Sequence, residues 1–105
     1  MLSNIQCCFE IDLVLYTKHA REEMLAEEFG EITEEEVYQA IQNGQVIESY
    51  EHDMPYPSIL ILGRTNAERP IHIVSAYSKA DDLAIIITVY QPDPLRWIDY
   101  GRRIQ

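Results

Sequence analysis

Four apolar stretches in succession, QVIESY, SILILGR, PIHIVSAY and LAIIITVY, occupy most of residues 45–90, separated only by punctuation such as MPYPS, TNAERP and SKADD. Each is short, rich in β-branched residues and bounded by turn formers, which is the pattern of a strand. The connections are too short for crossover helices, so neighbouring strands pair antiparallel. The unbroken apolar runs Ile59–Leu62 and Leu83–Val89 need cover on both faces or a central place in the sheet. A sheet of this kind must be roofed, and the preceding residues supply the roof.

The segment FEIDLVLY, Phe9 to Tyr16, alternates at first and reads as one further strand. Thr17 is placed to cap a helix running through Phe29, with Gly30 as its stop. At ~100° per residue, Ala20, Met24, Leu25 and Phe29 share a face that includes Arg21, while His19 and Glu23 project to the other side. Thr33 and Glu36 form a T-x-x-E capping box for a second helix, with Val37, Ala40 and Ile41 at helical spacing and Gly44 at its end. After the last strand, two prolines precede Leu95, Trp97 and Ile98, which predict a short C-terminal helix. The expected fold is α+β: two N-terminal helices packed on a mainly antiparallel four- to five-stranded sheet, in the order β-α-α-β-β-β-β-(α). At 105 residues the whole chain, 1–105, is expected to form a single domain.

Charge narrows the function. Eighteen acidic residues against eight basic ones give a net charge of -10, which disfavours RNA or DNA as a partner because phosphate binding draws on Lys and Arg. Eight of the acids lie between Glu22 and Glu36, whereas Arg96, Arg102 and Arg103 make the tail basic and leave room for a local cationic site. The two cysteines, Cys7 and Cys8, are adjacent; a bridge between neighbours is strained, so a reducing, cytoplasmic setting is expected. Neither zinc spacing nor a convergent oxygen set is evident: Glu23 and Glu27 stand at i, i+4 but read as a solvated helix face, so no metal and no cofactor are expected. No stretch reaches the ~20 apolar residues of a membrane span, and no glycine-rich phosphate loop or nucleophile elbow is present.

The residues left to carry chemistry are His19, His72, Tyr90, Arg21 and Thr88. His19 lies at a strand-to-helix junction, where the helix dipole favours a neutral ring that could serve as a base; its structural alternative is a hydrogen bond to a nearby carboxylate. His72 projects from its strand with Val74 and Ala76, opposite Ile71, Ile73 and Tyr77, and is either a satisfied buried histidine or the partner of His19 across a cleft. Arg21 needs an anion: a carboxylate of the chain, or a bound one. Thr88 and Tyr90 place two hydroxyls on one strand face near its end.

The order H-A-R-x-x-M at His19–Met24, the capped helix ITEEEVYQAIQNGQVIESY, the turn DMPYPS, then RPIHIVSAY and ITVYQPDPLRW, resembles the domain of unknown function 4258 family from Tyr16 to Trp97. That family is similar to RelE/ParE-like toxin-fold domains, among which some cleave RNA without a metal. The resemblance implies a RelE-like α+β domain, with family positions falling on His19, His72, Thr88 and Tyr90. The family pattern carries an arginine where this chain has Glu23, two residues after Arg21.

Two functions follow. In a metal-independent endoribonuclease or toxin-like protein, His19 or His72 takes the ribose 2′-hydroxyl proton, Arg21 steadies the phosphorane charge with Thr88 also binding substrate, and the other histidine or Tyr90 protonates the leaving oxygen. In a non-catalytic interaction or regulatory module, the acidic helical face meets a basic or antitoxin-like partner protein, and the same polar residues hold the fold. An open strand edge would also permit homodimerisation.

Overall fold

The four late segments become β2 (Gln45–Tyr50), β3 (Ser58–Arg64), β4 (Pro70–Ser78) and β5 (Leu83–Tyr90), paired antiparallel in succession. A short strand, β1 (Val14–Tyr16), lies parallel to β5, which gives the sheet order β1-β5-β4-β3-β2. The structure is a computed structural model that describes residues 1–104. Alternation along the strands then sorts the side chains. Ile59, Ile61, Ile71, Ile73, Ile86 and Val89 face the helices α1 (Leu2–Glu10), α2 (Lys18–Ala26) and α3 (Glu34–Gln42), and share one core with Ile5, Phe9, Met24, Val37 and Ile41. Leu60, Leu62, His72, Val74, Thr88 and Tyr90 fall on the opposite, outer face.

The α+β class and the helical roof are as expected, and the caps are in place. Thr33 accepts the Glu36 amide at 3.1 Å while Glu36 accepts that of Thr33 at 3.0 Å. Thr17 accepts the Ala20 amide at 3.1 Å and donates to the Ile87 carbonyl at 3.2 Å, tying the helix start to β5.

Three elements differ from the expectation. Phe9 belongs to a helix, not a strand: Ile5, Cys8 and Phe9 bury one face of α1, and only Val14–Tyr16 of the predicted strand is extended. The reversal between them is made by Asp12 in the left-handed region (φ 59°), which aspartate tolerates better than most residues. Helix α2 stops at Ala26 rather than Phe29; Phe29 beyond it is exposed, and so is Leu25 within it, which does not face the core as expected. Its continuation is diverted because the Glu27 carboxylate takes the amides of Phe29 and Gln91. The C-terminal helix is replaced by a hairpin of β6 (Trp97–Ile98) and β7 (Arg102–Arg103), turned through Asp99 and Tyr100, both at positive φ.

Arg69 and Gly63 also join the helical and sheet halves. Arg69, in the β3–β4 turn, donates to Gln91 Oε1 at 2.7 Å, Glu36 Oε2 at 3.1 Å and the Glu31 carbonyl at 3.0 Å, as well as to the Gly30 carbonyl. Gly63 lets α3 touch β3 backbone to backbone: a methyl group there would collide with the Ala40 carbonyl. Gly63→Ala is therefore expected to cost at least ~3 kcal/mol, a large part of a small domain's stability, seen as a lowered urea midpoint.

Candidate functional site

His72, near the start of β4, has no solvent exposure although it points away from the helices. The C-terminal hairpin covers it. Trp97 stands edge-on to the imidazole with ring centroids 4.5 Å apart, and the Tyr90 ring lies at 5.2 Å. Both ring nitrogens are engaged: Nε2 meets the Tyr100 carbonyl and Nδ1 the Tyr90 hydroxyl at 3.1 Å. A carbonyl can only accept, so Nε2 carries the proton, Nδ1 is the acceptor, and Tyr90 donates to it.

A second anchor holds the hairpin. Arg103 makes a bidentate pair with Glu48 of β2, at 2.7 and 3.0 Å, and lies 4.7 Å over the Trp97 ring; Tyr50 also donates to Glu48. Arg64 stacks over Tyr100 at 5.5 Å. The Arg103 hydrogen bonds hold the Glu48 carboxyl below its ordinary range. Burial drives the His72 ring down to about 4, against the opposing pull of the Tyr100 carbonyl and Glu48. Burial also pushes the Tyr90 hydroxyl up to about 12. A general acid or base works best near the operating pH, and neither member of this pair titrates near neutrality. Their hydrogen bonds fasten the C-terminal hairpin to the sheet.

The remaining candidates lie elsewhere. His19 is largely exposed, with Nε2 3.3 Å from Glu23. Arg21 pairs with Glu34 of α3 at 3.1 Å and lies 5.3 Å over the Tyr16 ring, so its anion belongs to the chain itself. Thr88 shares the outer face with Tyr90, opposite Val74. The structure thus joins His72 and Tyr90 and does not bring His19 or Arg21 into their hydrogen-bonded cluster. Among the described residues no cluster of three or more His, Cys, Asp or Glu is arranged for a metal ion, both cysteines are free thiols, and no helix is long and apolar enough to cross a membrane.

Glu23 and Glu27 are not a solvated face. Beyond Tyr16, β1 no longer accompanies β5, and the amides of Val89 and Gln91 are taken instead by Glu23 at 3.1 Å and Glu27 at 2.8 Å. The spacing suits this: four residues rise about 6 Å along a helix, close to the roughly 6.7 Å of two residues along a strand. Glu23 is pushed above its ordinary value by burial, partly offset by the Val89 amide and by His19.

Past that edge opens a cavity of about 830 Å³ between the end of α2 and the C-terminal hairpin. Glu23, Glu27, Glu28 and Asp93 supply acid, Arg96 and Arg103 base, and Ala26, Phe29, Leu95, Trp97 and Ile104 apolar surface, with Tyr90 also lining it. Sequence reasoning missed Glu48, Tyr50, Trp97, Tyr100 and Arg103 as neighbours of His72. The basic tail was the one available signal, since Arg103 in an acidic chain needs a carboxylate.

Stability should fall as pH drops from about 6.5 to about 4, because the unfolded histidine gains a proton that buried His72 does not. The slope is at most ~1.4 kcal/mol per pH unit, about 3 kcal/mol in all, and urea titrations of a His72→Phe variant should lack this component. Glu23 has the opposite sign: its raised value makes the ionised carboxylate a cost that appears as pH rises through the window above the ordinary 4.5. Glu23→Gln, which keeps an acceptor for Val89, should match or exceed the parent's midpoint at neutral pH. Glu23→Ala, which orphans that amide, should lose ~1–3 kcal/mol.

No curated protein and no solved structure matches this chain. The family model described as Domain of unknown function (DUF4258) matches residues 16–91, from the first strand to the end of the last long one. That span contains the capped helices, Arg69, His72 and Tyr90, and on it the chain belongs to the DUF4258 family.

Proposed function

We propose that this domain is a non-catalytic protein-interaction module of RelE/ParE-like ancestry, and that its ligand is a basic, amphipathic segment of a partner protein seated between α2 and the C-terminal hairpin. The observation that carries this reading is the composition of the cavity. Its apolar lining reaches the surface through Phe29, Leu95 and Ile104, which are 47%, 83% and 48% exposed, and acids stand on its rim. With a net charge of -10, long-range attraction favours a cationic ligand, and an antitoxin-like or other basic protein is the partner class that suits it. Buried His72, tied to Tyr90 and to the Tyr100 carbonyl, fits a scaffold rather than a reacting centre.

One observation favours a ribonuclease instead: Tyr90, Arg96 and Arg103 line the same cavity as Glu23, whose carboxylate pairs with His19. A general acid or base there would have to be His19, acting from the exposed end of that pair.

Trp97 is the chain's single tryptophan and lines the cavity, so its fluorescence reports occupancy. A Lys/Leu amphipathic peptide should change that emission and a Glu/Leu peptide should not, with binding weakening as salt rises. Glu28→Lys should weaken the Lys/Leu peptide by up to about fivefold, the scale of one exposed ion pair. Equal binding of both peptides would refute the reading. Cleavage of single-stranded RNA by the parent but not by His19→Ala would establish the ribonuclease in its place.

A further inference from the structure

The C-terminal hairpin covers only part of the sheet's outer face. On the rest, Leu15 of β1 sits beside Ile85 of β5, and Leu83 and Ile85 stand opposite Ser78 and Ala76 of β4, next to the Val74–Thr88 pair. Leu15 is 50% exposed and Leu13, just before the strand, is 39% exposed; Val74, Leu83 and Ile85 are partly buried, and Ala76 and Ser78 are buried, so the open part of the patch lies along β1 and β5. A sheet face left in water normally alternates to polar side chains. Here the outward positions are aliphatic, relieved only by hydroxyls, and none of these paired residues is charged.

We propose that this face is a homodimer interface, occupied by the same face of a second copy of the chain. Charge selects the occupant. The chain carries -10 overall, and eight of its acids lie between Glu22 and Glu36, in and between the helices on the other side of the sheet. Two copies approaching through that side meet strong like-charge repulsion, and a basic partner drawn by the acids is led there, away from the neutral face. An aliphatic patch is complementary to itself, which a two-fold interface requires, and two sheets stack face to face at about 10 Å. The interface uses neither open strand edge, so the two domains meet as a sandwich rather than as one continuous sheet.

The test is sedimentation equilibrium of the full chain. The parent should approach twice its 12.2 kDa as concentration rises, and salt should tighten the dimer by screening the repulsion, the reverse of the salt dependence expected for a basic ligand. Leu15→Glu and Leu13→Glu, both at exposed positions, should each raise the dissociation constant at least about tenfold, because the interface would bury an unpaired carboxylate. Val46→Glu, on the opposite edge strand and 42% exposed, should leave the dimer intact. A parent that stays monomeric in high salt, a dimer indifferent to both leucine changes, or one broken by Val46→Glu would overturn the proposal.

Discussion

The sheet is built around an edge that runs out of strand. β1 pairs with β5 for three residues, and the amides of Val89 and of Gln91 just past β5 would be left open had Glu23 of α2 and Glu27 at its end not faced them with carboxylates. A buried, unpaired amide costs more than most single contacts contribute, so this constraint fixes the direction and register of α2. The rest is downstream. The end of α2 sets where the chain turns toward α3, and the space between that end and the C-terminal hairpin is the cavity.

Elements whose cause is local were legible in the sequence. Thr33 and Glu36 satisfy each other's backbone three residues apart, and the long strands carry their own alternation, so the sides taken by His72 and Ile73 follow from the pattern. The first helix was obscured because Phe9, Ile11 and Leu13 match a strand period, while Ile5, Cys8 and Phe9 equally match a helical one. The tail was obscured because its hairpin is dictated by residues far away: Tyr100 meets His72, and Arg103 meets Glu48.

The candidate site divides along the same line. The choice between a satisfied and a reactive His72 depended on what covered the outer face, which strand periodicity does not encode. Glu23, which the family pattern makes look like a lost phosphate contact, is a backbone acceptor whose meaning appears only once β5 is beside it. Arg21, by contrast, needed an anion and found one on the next helix, as an acidic chain allows.

Arg69 has a consequence for how the domain comes together. Its guanidinium gathers acceptors from the link between α2 and α3, from α3 itself and from the residue that follows β5, while its own backbone belongs to the β3–β4 turn. No one of these segments can satisfy it alone, and a lysine, with three donors radiating from a point, could not reproduce the planar fork. Until all of them are assembled, the cation keeps its water. The helical roof and the late end of the sheet are thereby coupled into one cooperative unit, in which loosening either side returns a charge to solvent and unlatches the other.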